Sequence, residues 1–411
     1  MYDVKTKNMT FLKAASVLRK RGVKNNKFML TLYNEDLRGV DPYSKNLTDM
    51  QKVQIYEEIQ LNIWYYLREV TRIPVPGRID GIPYKMNLGN LSLSYVKTKN
   101  KNQITVLPRQ HGKTLGEIIY DTWIMLFTAS NTNIIYSNKE FKDSKLALKR
   151  FQDIKEKLPH WLFNLVTDPR DRDNIEEKVV YKRNNSLKAM PAANSDEAAE
   201  KLGRGMTTSN IYFDEFAFLS RNEIIYMAAR PAWDAASANA KVNGVPYGIT
   251  ITTTPNNIDT PQGGYARMFI DQAAPWKVEC FDMNDDELRL YVSNNTLNDF
   301  LHVEFTYKEL GKTDAWLAEQ ERGFLGDTAK IKRELLLDWP RSTERSVFNE
   351  DQLEKIWQFV REPVTSMKVN GYLIDFYETP DVNVNYIMSC DVAGGLNRDN
   401  STITFVAPDD F

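Results

Sequence analysis

Two short stretches of this chain carry residue types that handle phosphate and metal. The first is Leu107-Pro108-Arg109-Gln110-His111-Gly112-Lys113-Thr114, set between a β-branched run and an amphipathic one. A loop in that context points backbone N–H groups at an anion; Lys113 adds positive charge toward the β/γ oxygens, and Thr114 offers a hydroxyl to Mg²⁺. Leu107 stands where the common pattern G-x-x-x-x-G-K-[ST] has its first glycine. The second stretch is Ile211-Tyr212-Phe213-Asp214-Glu215-Phe216, an apolar strand ending in two carboxylates. In a phosphoryl-transfer site the first acid completes the Mg²⁺ shell, and the second orients and helps deprotonate the attacking water. Alone, each has an ordinary alternative, since Gly-Lys-Thr recurs by chance and a strand can end in solvated acids. Together, in the order strand–loop–helix and then strand–Asp–Glu, they predict a sheet that brings both strand ends to one edge, and with it Mg-ATP hydrolysis.

A third stretch, Ile249-Thr250-Ile251-Thr252-Thr253-Thr254-Pro255-Asn256, ends a strand in hydroxyls. Threonine favours strands anyway, so an edge-of-sheet reading stands beside a functional one. Placed after the acid pair, Thr252, Thr253 and Thr254 are candidates to sense the γ-phosphate and pass its state onward. His111 is read as a solvent-facing spacer as readily as a phosphate contact. His160 and His302 lack a ligand pattern and receive no metal role. Trp161, Trp233, Trp276 and Trp316 are assigned to packing, and the acidic cluster Asp282, Asp285, Asp286 and Glu287 to solvated surface.

The elements that must position these residues follow from periodicity. Strands are predicted at Ile104–Leu107, Asn133–Ser137, Ile211–Phe213 and Gly248–Thr253, with helices over Leu115–Phe127 and Lys139–Lys157 between them. That alternation predicts an α/β fold with a parallel sheet flanked by helices. Lys178–Lys182 and Ser186–Met190, around Asn184-Asn185, read as an inserted hairpin. Residues 1 to about 72 read as helical, with Thr48 and Asp49 as caps for the run that begins at Met50, and residues 280–338 as mostly helical and charged. Near the end, Tyr386–Cys390 and Ser401–Val406 read as strands. Four regions are expected: an N-terminal helical region 1–74, an ATPase domain 75–340 with a helical subdomain, a linker 341–384, and the beginning of a further domain over 385–411.

Taken in order, these motifs resemble the large subunit of tailed-phage and herpesvirus-type terminases, over about residues 75 to 405. The family's Walker A characteristically carries Arg-Gln and lacks the first glycine, as Pro108–Thr114 does. Gly203-Arg204-Gly205 before Ile211–Phe216 is similar to the approach to its Walker B strand, and Thr252–Asn256 to its coupling motif. Ser389-Cys390-Asp391 with Gly394-Gly395 and Asp399 resembles the first strand of its ribonuclease H-like nuclease. The resemblance implies a P-loop NTPase (RecA/ASCE-like) sheet in which Arg109, Gln110, His111, Gly112, Lys113 and Thr114 hold ATP, and Thr114 and Asp214 hold Mg²⁺. It makes Glu215 the catalytic carboxylate, Arg109 an arginine acting in cis on the transition state, and Thr252–Thr254 the link to movement. Asp391 becomes the first metal acid of a Mg²⁺- or Mn²⁺-dependent nuclease, which needs acids from later strands and is therefore expected to be incomplete in this chain. The family's adenine-contacting glutamine has no clear counterpart; Asn87 and Asn90 are candidates in its place.

The implied partners are double-stranded DNA, a portal protein and a small terminase subunit, with a homo-oligomeric ring on the portal and a monomer elsewhere, in the host cytoplasm and without a membrane. Composition agrees with a folded protein: of 411 residues 42% are hydrophobic and 26% charged, which excludes a disordered polymer or a collagen. Net charge is −2, so any DNA contact must come from local patches, for which Lys5–Lys27, Lys97–Lys101 and Lys139–Lys157 are candidates beside a plain solvated reading. Cys280 and Cys390 form no CxxC, which points to a reducing setting and against a thiolate metal site. A helicase-like ATPase needs a second lobe that the residues after about 260 do not suggest, and a nucleotide-binding scaffold without turnover has no reason to keep Lys113, Thr114, Asp214 and Glu215 together.

Overall fold

Strands buried on both faces need cover on both sides, and the chain supplies it with helices. The computed structural model describes residues 1–325, 327–340, 355–369, 372–379, 381, 383–391 and 402–406. They fall into two units, Met1–Ser342 and Thr343–Phe411.

In the first unit, β1 (Arg72–Val75) and β2 (Arg78–Pro83) form a hairpin. The main sheet comprises β3 (Asn102–Val106), β4 (Asn133–Asn138), β5 (Arg172–Asp173), β6 (Glu177–Val180), β7 (Asn185–Ala189), β8 (Asn210–Asp214), β9 (Gly248–Thr253), β10 (Ala274–Pro275) and β11 (Phe300–Glu304). Its order is β10-β11-β3-β9-β8-β4-β7-β6-β5. Neighbours from β10 through β7 are parallel, and β7-β6-β5 is an antiparallel appendage. The register aligns Val106 with Thr253, Thr252 with Asp214, and Asp214 with Asn138, so four strands end along one edge.

The sheet is an α/β core of the expected class, with strands close to their predicted bounds. Two regions are less uniformly helical than expected. Residues 280–338 contain β11, which pairs with the whole of β3 from Phe300↔Asn102 to Glu304↔Val106. Five residues between charged helical runs carry too short an apolar signal to separate strand from helix. The N-terminal region is also less helical than its periodicity suggested. Helices cover Met9–Lys20, Asp49–Leu61 and Ile63–Tyr65, whereas Phe28–Leu30 and Glu35–Leu37 are single 3₁₀ turns. This region shares a hydrophobic cluster with the sheet's cover: Phe11, Leu18, Met29, Ile59 and Tyr66 belong with Phe127, Leu148 and Phe305. Asp282, expected at a solvated surface, accepts the backbone N–H groups of Lys24 and Asn25 at 3.0 and 2.7 Å and ties the N-terminal segment down.

The two faces of the sheet differ in chemistry. Ile104, Val106, Ile135, Ile211, Phe213, Ile249 and Ile251 join one apolar cluster. Their neighbours along the strands, Gln103, Thr105, Tyr136, Tyr212, Thr250 and Thr252, are buried and polar or aromatic; strand alternation puts them on the opposite face. The helices Leu88–Thr98 and Lys113–Trp123 supply charge in that buried setting. Lys97 pairs with Glu117 and, at 3.0 Å, with Asp121, and Asp121 also accepts the Tyr136 hydroxyl at 2.8 Å. Lys97 therefore leaves the basic patch to which its sequence neighbours assigned it.

In the second unit β12 (Thr365–Val369) and β13 (Tyr372–Phe376) form a hairpin within the stretch expected to be a linker. β14 (Ile387–Asp391) pairs antiparallel with β15 (Thr402–Val406), Asp391 opposite Thr402. Asp399 lies outside the described residues, as does the side chain of Asp391.

Lys97→Met leaves two carboxylates buried without their cation, and a loss of about 3–5 kcal/mol is expected in urea denaturation at pH 8. Burial, opposed by Lys97, pushes the Glu117 carboxyl from its usual 4.5 up to about 7. The fold therefore favours the protonated form, so this contribution to stability is complete below pH 4.5 and is lost as pH rises to about 7. Glu117→Gln is expected to flatten the slope of stability against pH across that window.

Candidate functional site

The loop after β3 begins at Leu107 and ends where Gly112, at φ 78°, caps the helix Lys113–Trp123. Gln110 is also left-handed, at φ 64°. Two asparagines brace the loop from the helix Leu88–Thr98. Asn87 donates through Nδ2 to the His111 carbonyl at 3.1 Å, while its Oδ1 accepts from the Asn90 N–H and caps that helix. Asn90 is buried against the loop, and a Cβ at Gly116 would come within 3.0 Å of its Oδ1. The Asn87 side chain is thus committed to the loop's backbone, whereas Asn90 Oδ1 is buried without a hydrogen-bond partner, and neither residue lines the cleft beside the loop.

Asp214 is the convergence point. Its Oδ2 accepts the Thr114 hydroxyl at 3.0 Å and the Asn138 amide at 3.2 Å; its Oδ1 accepts the Thr252 hydroxyl at 2.6 Å and the Glu215 N–H at 3.1 Å. Tyr212 and Thr252 share a further hydrogen bond of 2.7 Å. Burial, and then the neighbouring Glu215, hold the Asp214 carboxyl above the usual carboxylate range, opposed by Thr252 and Lys113. A carboxylate so desolvated gains from an added cation. Glu215 is half-buried, with φ 51°, and lies 3.7 Å from Lys113 Nζ and 3.3 Å from the Thr254 hydroxyl. A non-glycine residue in that conformation costs on the order of 1–3 kcal/mol and persists where its surroundings over-determine it. Thr253 instead serves the backbone, accepting from the Ala217 N–H at 3.1 Å.

Lys113, Thr114 and Glu215 open on a cleft of about 780 Å³, with Asp214 buried behind Thr114. Its walls are the loop from Arg109 to Leu115, Glu215, the hairpin segment Ile73–Pro76 with Arg78, and one face of the helix Phe141–Lys155 with Lys157 just beyond its end. The set of oxygen donors fits Mg²⁺, which takes one or two carboxylates and completes its shell with phosphate oxygens and water. Among the described residues no group of three or more His, Cys, Asp or Glu stands ready to hold a metal without a ligand.

Two residues of the loop hold partners outside the cleft. His111 is buried, with its ring edge-on to Trp316 at a centroid distance of 5.5 Å. Its Nδ1 lies 3.0 Å from the Arg109 carbonyl, so the N–H donates there, and burial holds the ring below the usual imidazole range. Arg109 has an exposed side chain that reaches Glu334 at 3.6 Å, and its N–H donates to the Glu334 carbonyl at 2.9 Å. The segment that carries Trp316 and Glu334 therefore holds the outer side of the loop at two points. Asn138, Tyr212 and Glu334 were missed in the sequence. Only Asn138 had a signal, as a polar residue ending an apolar strand.

No protein-family model matches the sequence, and no curated protein matches it. Solved structures with a similar fold are large terminases. The ATPase domain of the Thermus phage P74-26 large terminase is 14% identical, with 62% of this chain and 95% of that chain covered and a TM-score of 0.42. The large terminase of a thermophilic bacteriophage in complex with ADP is 15% identical, over 78% of this chain and 65% of that one, at 0.37. For the HK97 bacteriophage large terminase the values are 14%, 82%, 62% and 0.39. This chain thus spans less than two thirds of the latter two proteins.

Thr252→Val removes the donor to Asp214 and the partner of Tyr212 at nearly constant volume. A loss of about 1–3 kcal/mol is expected in chemical denaturation, with Thr252→Ser close to wild type.

Proposed function

We propose that this chain is the ATP-hydrolysing motor subunit of a phage terminase and moves double-stranded DNA into a procapsid. The observation that carries the reading is the meeting of Asp214 with Thr114 at 3.0 Å, Thr114 lining a cleft together with Lys113 and Glu215. Residues a hundred positions apart are brought together there by the register of four parallel strands. The order β11-β3-β9-β8-β4 supports a P-loop ATPase sheet of the RecA/ASCE type, because β9 runs between the loop strand and the acid strand and delivers its threonines to the acid pair.

Bound Mg²⁺ would supply charge neutralisation at the β- and γ-phosphates. The chain's own residues do the rest. Backbone N–H groups at the start of the helix Lys113–Trp123 and the Lys113 ammonium bind phosphate. Thr114 and Asp214, which share a hydrogen bond, would hold the metal. Glu215, beside Lys113 and Thr254, is placed to orient water. Thr254 touches Glu215 and Thr252 touches Asp214, so β9 is placed to transmit a change at the phosphate. Arg109 acts on the transferred phosphoryl once it leaves Glu334.

The remaining roles belong to the same proposal: a ring of copies on a portal, a small terminase subunit as partner, the host cytoplasm as the place of action, and Asp391 at the end of β14 as a nuclease acid. No described helix is long and apolar enough to cross a membrane. Against the helicase reading, the residues after 260 add β10 and β11 to the existing sheet and build no second lobe among the described residues.

Mg²⁺-dependent ATP hydrolysis is the test. Lys113→Ala is expected to lose nucleotide binding and turnover together, and Glu215→Gln to keep binding while turnover falls by at least about 10²-fold. Thermal stabilisation by ATP without phosphate release in the wild type, with DNA present, would instead favour the scaffold.

A further inference from the structure

The phosphate end of the cleft is accounted for by the loop, but its outer wall is not. That wall has two parts, the hairpin segment Ile73–Pro76 and the helix Phe141–Lys155, and they are fixed to one another. The Tyr43 hydroxyl lies 2.7 Å from the carbonyl of Val70, just before β1, and 2.7 Å from that of Lys157, just after the helix. The Arg72 guanidinium stacks 3.7 Å over the Tyr43 ring. Both walls therefore stand at a set spacing beside the loop.

On the helical wall Arg150, Asp153, Ile154 and Lys157 line the cleft. Three of these are the common furniture of an anion site, two cations and an apolar residue. Asp153 is the exception. It is half-buried and makes no ion pair or hydrogen bond among the described residues, although cations lie on either side of it along the helix. An ionised carboxylate only accepts hydrogen bonds, so in a cleft built for a polyphosphate it repels the phosphates and needs a neutral donor. A nucleotide offers such donors at the ribose, whose 2′ and 3′ hydroxyls lie beyond the phosphates from the loop, and a carboxylate is a recurrent partner for them. The apolar side chains Ile73, Val75 and Ile154 would then flank the base.

We infer that Asp153 accepts the ribose hydroxyls of the bound nucleotide and makes the site selective for ribonucleotides over 2′-deoxyribonucleotides. This rests on the ATPase reading and deepens it. Asp153 is a binding residue with no part in the chemistry. Its effect belongs in affinity, where a site built to bond a hydroxyl discriminates against the analogue that lacks it.

The test is calorimetric titration of the whole chain with Mg²⁺ and ADP, 2′-deoxy-ADP or GDP, none of which the proposed activity consumes. The wild type is expected to bind ADP about tenfold more tightly, a difference of about 1.4 kcal/mol. In Asp153→Ala the ratio is expected to fall to about one through weakened ADP binding, and in Asp153→Asn, which keeps one acceptor oxygen, to lie between. Thermal denaturation of each variant checks that the fold is kept. A ratio unchanged by Asp153→Ala overturns the inference and leaves the ATPase reading standing. So does an effect confined to the preference for ADP over GDP, which would move Asp153 to the base. No binding of either nucleotide by the wild type overturns both.

Discussion

One buried carboxylate holds this molecule's chemistry together. Asp214 receives hydrogen bonds from Thr114, Asn138, Thr252 and its own successor's N–H, so the loop helix, β4, β8 and β9 all end on a single group. Each bond to a charged acceptor is worth more than a neutral one, and removing any donor leaves charge unmet in a low-dielectric site. The parallel register makes this possible, because it brings the four ends level without bending a strand. The same donors favour the ionised carboxylate. Four donors satisfy its oxygens, yet burial and Glu215 still hold it above the usual range.

The other end of the loop helix is held by charge as well. Glu117 lies four residues, or one helical turn, after Lys113, and Asp121 one turn further. Both face Lys97 on the neighbouring helix, and Asp121 reaches Tyr136 on β4. Buried ion pairs are poor sources of net stability, since desolvation offsets most of the attraction. Their value here is directional. An apolar interface tolerates a helix that slides or rotates, whereas a cation shared between two carboxylates and a tyrosine does not. The helix that follows the loop is thereby fixed at its far end and braced by Asn87 and Asn90 at its near end.

The strands of the sheet and the residues of Pro108–Thr114 and Asp214–Glu215 were legible in the sequence because each rests on local signals: β-branched runs, a Gly-Lys-Thr at a strand–helix junction, acids ending an apolar run. What was not legible depends on contacts far apart in the chain. β11 is five residues of mixed character that become a strand only because β3 lies open beside them. His111 reads as a loop spacer until Trp316, about two hundred residues later, covers it. Lys97 reads as part of a surface patch until Glu117 and Asp121 are seen beneath it. Asn87 and Asn90 resemble ligand contacts in type, but helix capping and loop bracing use the same amide groups.

The position of Glu334 gives Arg109 two alternatives. Its guanidinium is exposed and close to a buried carboxylate, while its own N–H is bonded to that residue's carbonyl. The backbone bond fixes where the arginine begins, and the side-chain contact, at 3.6 Å, fixes only where it rests. A long ion pair between an exposed cation and an acid already served by Arg333 at 3.1 Å is weak, of the order of 1 kcal/mol or less. A triphosphate in the cleft offers more negative charge than Glu334 does. On the proposed function, arrival of nucleotide would draw the arginine over without moving the loop, and the residues around Trp316 and Glu334, still held through the Trp316 ring and the Glu334 carbonyl, would be relieved of one contact.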